Sequence, residues 1–180
     1  MRSQQREVSF RTELIYPWSA NHVSELSLRL WVPDSNPEKP KEIAILLHGF
    51  LEGIERDPDK RKRWVKRYEA IAEEFALRGI ASVFLPMPLH FERVVFADGE
   101  ASHSVVVQRL KDNGTMLYYG GHDQFSRDIE LLIGAILAEP ANFGLAECRP
   151  KIHLVGYSLG GAAAMAAATA NQGKVDSLSV

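Results

Sequence analysis

Hydrophobic and polar residues alternate along the stretch 23–32, and a period of two residues is typical of a half-buried strand. The stretch 8–15 shows a weaker form of the same pattern, and a proline-containing loop at 33–37 follows the stronger one. We therefore expect an antiparallel hairpin at the N-terminus. In its second strand the residues between the apolar positions, which fall on the opposite side, are Glu25, Ser27, Arg29 and Trp31.

The pattern then changes to short, continuous apolar runs, which are typical of strands covered on both faces in a parallel sheet. These runs occupy residues 43–47, 80–85 and 152–155, and only Ser82 and His153 interrupt them. Residues 175–180 form a further strand candidate at the end of the chain.

Stretches with helical periodicity separate these runs. The first is predicted over about 60–78, with Gly79 in the position of a C-terminal cap. The second covers about 124–138, and the third, which is rich in alanine, covers 159–170. Strands that alternate with helices after a hairpin predict an open, mostly parallel α/β sheet. The apolar face of the first helix is expected to consist of Trp64, Tyr68, Ile71, Ala72 and Phe75.

The interval 86–123 breaks this rhythm, because connections in such folds usually take about 2–6 residues. Apolar residues at 105–107 and 116–119 show that the interval is not simply a polar linker. We expect a single domain over residues 1–180, incomplete at its C-terminus, with an insertion at about 86–123. At the carboxyl edge of a strand, this insertion can wall or cover a binding site.

Composition and charge narrow the class of protein. The chain has 180 residues, of which 46% are hydrophobic and 24% are charged, as in ordinary globular domains. Its formal net charge of -2 gives no reason to expect a nucleic acid or an anionic membrane as partner. The sequence has no apolar stretch of the roughly 18 residues that a membrane span needs, and residues 1–20 lack the core of a secretory signal. With Cys148 as its one cysteine, we expect a soluble, cytoplasmic protein without a disulfide.

The segment 156–160 matches the pattern G-x-S-x-G, and it follows a predicted strand and opens a predicted helix. In such a turn Ser158 takes a strained backbone conformation that projects its Oγ above the sheet. Gly156 and Gly160 are required because a Cβ at either position would collide across the turn. The N–H of Leu159, at the helix N-terminus, is a candidate donor to an oxyanion. The alternative is a glycine-rich turn with a capping serine, and a phosphate loop fits poorly because the Lys and Ser/Thr are missing.

His48, Gly49 and Phe50 follow the apolar strand 43–47, where a second oxyanion donor is expected. Gly49 lets the backbone turn toward the nucleophile, and the N–H of Phe50 is the candidate donor, with Leu51 as the substitute. This segment and the segment around Ser158 together resemble the two N-terminal signatures of the α/β-hydrolase superfamily. The resemblance covers about residues 23–180, and it implies an esterase-, lipase- or peptidase-like hydrolase in which His48 braces the oxyanion loop.

The resemblance also implies a triad in the order Ser, Asp or Glu, then His, on loops after later strands. After Ser158 the sequence contains one carboxylate, Asp176, at the start of a predicted strand, and no histidine. Asp176 is therefore a poor candidate for the acid. We expect the chain to be a fragment whose acid and base lie beyond Val180, and to have little turnover alone because an unassisted serine hydroxyl is a weak nucleophile.

Three residues at the mouth side of the predicted sheet are candidates for the substrate pocket: His90, Arg93 and His122. Either histidine is a less favoured candidate for the catalytic base. For Arg93 the alternative to a substrate carboxylate is a structural ion pair with Glu92 or Asp98. No spacing of metal ligands and no dinucleotide fingerprint is present, so we expect neither a metal nor a cofactor.

Six basic residues lie between positions 60 and 67. We interpret them as a solvated helix face, compensated by acidic residues in the preceding loop: Glu52, Glu55, Asp57 and Asp59.

The leading hypothesis is a serine hydrolase that acts on a small-molecule substrate with an ester or related acyl bond. The alternatives are acyl transfer at the same site and a non-catalytic binding protein with this fold.

Overall fold

The computed structural model describes residues 3–12, 25–34, 38–49, 52–53, 57–88, 90–93 and 114–180. Within these ranges six strands form one sheet in the order β1-β2-β4-β3-β5-β6. The strands are β1 (Ser3–Arg11), β2 (Glu25–Pro33), β3 (Glu42–Leu47), β4 (Ala81–Leu85), β5 (Lys151–Gly156) and β6 (Ser177–Ser179).

The first two strands form the expected antiparallel hairpin, although β1 begins at Ser3, five residues before the predicted stretch 8–15. Its pairing runs from Ser3 opposite Pro33 to Arg11 opposite Glu25. Strand β2 is also antiparallel to β4, whereas β4, β3, β5 and β6 are parallel to one another. The mostly parallel α/β sheet predicted from the sequence is thereby confirmed.

Three α-helices are present in the described ranges: α1 (Pro58–Ala76), α2 (Gly114–Ala138) and α3 (Leu159–Ala170). Short 3₁₀ helices occupy Phe91–Arg93 and Pro140–Phe143. Helix α1 begins with Asp57 as its N-cap, whose carboxylate accepts a hydrogen bond from the backbone N–H of Asp59. None of these helices is long and apolar enough to cross a membrane.

Helix α2 begins at Gly114, so the predicted start near residue 124 was wrong. The physical reason lies in the adjacent pair Gly120 and Gly121, because glycine is among the poorest helix formers. The pair interrupts the local signal, and the helix nevertheless extends through it. The C-terminal part of the interval 86–123 is therefore helical, and residues 94–113 lie outside the described ranges.

Helices cover the sheet on both faces. One core lies between the sheet and helices α2 and α3, and a second core lies beneath α1. Consecutive residues of β3 alternate between them, since Ile45 belongs to the first core and Ala44 and Leu46 to the second. This arrangement accounts for the continuous apolar runs of the central strands.

The second core corrects the interpretation of β2. Trp31 stands among the polar positions of the alternating pattern, yet it is 3% exposed and packs under α1 with Val65 and Tyr68. Alternation along one strand reports only that its two faces differ, and it does not show which of them a helix will cover. The predicted face of α1 also packs on this core: Tyr68 and Ala72 are buried, and Trp64, Ile71 and Phe75 are partly buried against it. Val65 and Ala76 are buried as well.

The three central strands end side by side. Leu47 of β3 is paired with Leu85 of β4 on one side and with Gly156 of β5 on the other. Their carboxyl ends therefore bring together the loop after β3, the segment 86–93 and the turn around Ser158. Ligands of open α/β sheets bind at this edge.

Candidate active site

Ser158 lies in the turn between β5, which ends at Gly156, and α3, which begins at Leu159. Its backbone has φ 54° and ψ -118°, a conformation that side chains other than glycine rarely adopt. The side chain is exposed and makes no capping hydrogen bond. An ordinary N-cap residue has an extended backbone and accepts a bond from the first turn. The alternative of a capping serine therefore does not fit, and backbone strain of this kind is concentrated at functional sites.

Two glycines allow the turn to pack tightly. A Cβ on Gly156 would lie 2.5 Å from the carbonyl oxygen of Gly160, which is the collision across the turn expected from the sequence. A Cβ on Gly160 would instead lie 2.5 Å from the carbonyl oxygen of His48 and 2.6 Å from that of Leu47. Gly160 is thus needed where α3 meets the loop after β3.

Replacing Gly160 by alanine is expected to lower the free energy of unfolding by about 1–3 kcal/mol or more, because the atoms in the way are backbone atoms on a central strand. Urea unfolding followed by circular dichroism measures the change. Gly134→Ala is the matched control, since Gly134 lies in helix α2 and has nothing within 4 Å of an added Cβ. Alanine at that position should stabilise the protein by about 0.5–1 kcal/mol. Equal effects of the two substitutions would contradict the packing argument.

His48 ties the loop after β3 to the segment after β4. Its Nδ1–H donates to the carbonyl oxygen of Gly49 at 2.7 Å, and its Nε2 accepts from the backbone N–H of Met87 at 2.8 Å. The ring is completely buried. Burial, followed by the proximity of His90, lowers the pKa of His48 well below its usual value. The imidazole is therefore neutral, and both of its nitrogens are used for bracing.

Of the two expected oxyanion donors, the structure describes Leu159 but not Phe50. Leu159 is the first residue of α3, so its N–H has no acceptor within the helix. Phe50 and its substitute Leu51 lie outside the described residues. The neighbouring Gly49 lies against the ring of Tyr157, because an added Cβ would be 2.9 Å from Tyr157 Cδ1. The loop after β3 and the serine turn are thus in direct contact.

Two of the three pocket candidates are buried. His90 is 2% exposed, its Nδ1–H donates to the carbonyl oxygen of Pro88, and its ring centroid lies 5.0 Å from that of His48. Arg93 is fully buried, and its Nη1 donates to the carbonyl oxygen of Pro86 at 3.0 Å. His122 is part of helix α2, but its side chain lies outside the described residues.

Arg93 forms an ion pair with Asp128 on α2, which is not among the partners expected from the sequence. Of those expected partners, the side chain of Glu92 and the whole of Asp98 lie outside the described residues. Arg93 Nη1 lies 2.6 Å from Asp128 Oδ2, and both side chains are fully buried. Gln124 donates to the other carboxylate oxygen at 2.8 Å. A signal was available, because Asp128 occurs among the apolar positions of its helix, where a carboxylate requires a buried partner.

Asp176 and His153 both lie away from the serine turn. Asp176 accepts a hydrogen bond from the backbone N–H of Ile152, near the start of β5, whereas Ser158 follows the end of that strand. The ring nitrogens of His153 contact Ser177 and a carboxylate of β3. Within the described ranges no histidine is hydrogen-bonded to Ser158, and no cluster of three potential metal ligands is present.

No protein-family model and no curated protein matches the sequence significantly. Solved structures do match it. A cold-adapted esterase from an Arctic intertidal metagenomic library superposes with a TM-score of 0.61 at 16% identity, over 99% of this chain and 60% of that one. Brefeldin A esterase, a bacterial homologue of human hormone-sensitive lipase, gives a TM-score of 0.54 at 12% identity, over 98% and 39%. A dienelactone hydrolase-like promiscuous phosphotriesterase from metagenomic libraries gives 0.58 at 14%, over 99% and 58%.

These similarities, together with the strand order and the serine turn, show that the chain has the α/β-hydrolase fold predicted from its sequence. The chain spans between 39% and 60% of the length of the three structures named above.

Proposed function

We propose that the natural protein containing this chain is a serine hydrolase that cleaves an ester or a related acyl bond at Ser158. The observation that carries the proposal is the strained, exposed serine without a capping bond, at the edge where β3, β4 and β5 end together. The esterase names of several solved structures with this fold support it.

In this proposal Ser158 Oγ attacks the carbonyl carbon, and its proton passes to a histidine from sequence outside residues 1–180. The carbonyl π electrons move to the carbonyl oxygen, which becomes an oxyanion and accepts hydrogen bonds from the N–H groups of Leu159 and Phe50. When the ester C–O bond breaks, the leaving alcohol takes the proton from the histidine. Water then hydrolyses the acyl-enzyme by the same route, and Ser158 is regenerated.

Several features preorganise the site for this chemistry. The Leu159 donor is carried by a helix, and the bracing of His48 holds the start of the loop that carries Phe50. Donors fixed before the reaction need no reorganisation as charge develops, and a single one is worth about 10²–10³-fold in kcat.

Covalent labelling tests the proposal. The full-length natural protein should react with a fluorophosphonate probe at one serine, and peptide mass spectrometry should place the adduct on Ser158. Labelling should disappear in Ser158→Ala and persist in Ser9→Ala, since Ser9 is an exposed serine of β1 at the far side of the sheet.

Absence of labelling in the folded, full-length protein would instead favour a non-catalytic binding protein. Labelling without hydrolysis of esters, but with transfer to an added alcohol or amine, would favour an acyltransferase.

A further inference from the structure

Glu52 is a buried carboxylate in the loop after β3, two positions after the proposed oxyanion donor in sequence. It is 4% exposed. Its Oε2 accepts a hydrogen bond from the hydroxyl of Tyr68 on α1, and its Oε1 lies 3.5 Å from Arg67 Nη1. Burial, followed by the hydrogen bond to Glu52, raises the pKa of Tyr68, so this phenol remains a donor at neutral pH. A buried carboxylate with these partners is held in one position.

Arg67 extends these contacts to the serine turn. Its guanidinium carbon lies 4.8 Å from the centroid of the Tyr157 ring, a cation–π distance. Tyr157 immediately precedes Ser158, and its ring lies against Gly49. One arginine therefore contacts a residue of the loop after β3 and a residue of the serine turn.

The loop is held on both sides of the proposed donor. His48 fixes its beginning, and after Glu52 the carbonyl oxygen of Gly53 accepts from the backbone N–H of Phe91 at 2.9 Å. Gly53 has φ +75°, and an added Cβ would lie 2.6 Å from the Phe91 ring. His48 and Gly53 are therefore both attached to the segment that follows β4.

We propose that Glu52 is a positioning residue that sets the distance between the oxyanion loop and Ser158. It attaches the loop to α1 through Tyr68 and to the serine turn through Arg67 and Tyr157. This role rests on the proposed function of Ser158. A misplacement of about 1 Å in a reacting group can cost about 10²-fold in rate, so the loss of such an attachment affects kcat.

From its sequence position, Glu52 is one of the acidic residues expected to compensate the basic face of α1. That interpretation holds for Lys62, which is 3.2 Å from Asp59, with both side chains exposed. Glu52 differs because its carboxylate is buried and because its arginine also contacts Tyr157. Compensation of charge needs neither feature.

The test compares Glu52→Ala with Glu52→Gln in the full-length natural protein, using a neutral chromogenic ester. The amide oxygen of glutamine can still accept from Tyr68, whereas alanine cannot. We expect Glu52→Ala to lower kcat by about 10–100-fold with KM changed by less than about threefold. Glu52→Gln should restore kcat to within about fivefold of the wild type, and Asp59→Ala should leave it unchanged.

Two further measurements separate positioning from folding. Circular dichroism and the fraction of protein that a fluorophosphonate probe finally labels should equal those of the wild type in every variant compared. Tyr68→Phe should lower kcat in the same direction, and its effect should not add to that of Glu52→Ala.

The inference is overturned if folded Glu52→Ala keeps the wild-type kcat, if only KM changes, or if the loss merely follows a reduced labelled fraction. These results leave the proposed function intact as long as Ser158→Ala abolishes hydrolysis. If Ser158→Ala retains activity, the proposed function itself fails.

Discussion

Replacing Ser158 by alanine is expected to abolish ester hydrolysis by the full-length natural protein, with a fall in kcat of about 10⁶-fold. The reason is that alanine has no oxygen to form the acyl-enzyme, and what remains is catalysis by binding and by the oxyanion donors. Steady-state hydrolysis of a short-chain chromogenic ester measures the effect. Ser9→Ala is the matched control and should keep the wild-type rate.

Residues 1–180 alone provide the second arm of this experiment. They should show little turnover, with or without Ser158, because a serine hydroxyl without a base is a weak nucleophile at neutral pH. Turnover by the isolated chain that depends on Ser158 would contradict our proposal that the base lies outside these residues. More than about 1% residual activity in full-length Ser158→Ala would contradict the assignment of Ser158 as the nucleophile.

Replacing Asp128 by alanine is expected to lower the free energy of unfolding by about 3–5 kcal/mol, because it removes the carboxylate that lies 2.6 Å from the buried Arg93 guanidinium. Burial lowers the pKa of Arg93 and raises that of Asp128, and each partner opposes the shift of the other. Each residue of the pair therefore stabilises the charged form of the other. Urea unfolding monitored by circular dichroism gives the change in stability.

The double variant Arg93→Met with Asp128→Leu is the informative control, because apolar residues of similar size often replace a buried ion pair without loss. It should be more stable than Asp128→Ala. Lys62→Ala breaks an exposed pair on α1 and should cost less than about 1 kcal/mol. A small effect of Asp128→Ala, equal to that of Lys62→Ala, would show that the buried pair does not contribute as described.

The serine turn could be predicted from the sequence because its geometry is local. The strand, the two glycines and the helix around Ser158 lie within a short segment, and each has its own sequence signal. The order of strands and helices followed from periodicity for the same reason. Two starts were misplaced: that of α2, where Gly120 and Gly121 interrupt the signal, and that of β1, which begins at Ser3 and not at Val8.

The contacts around the site could not be predicted in the same way because they join segments far apart in sequence. Arg93 and Asp128 are separated by 35 positions, and nothing local indicates which carboxylate reaches the arginine. The two bonds of His48, and the contacts of Arg67 with Glu52 and Tyr157, likewise depend on how α1 and the loops pack.

Sequence pattern was sufficient for the elements, the sheet type and Ser158 as candidate nucleophile, since each depends on backbone preferences and periodicity within a few residues. Burial of Trp31, the position of Glu52 and the pairing of Arg93 with Asp128 required the assembled molecule. The reason is that burial and pairing depend on which surfaces meet after the chain has folded. A strand or loop carries no local record of the helix that will cover it.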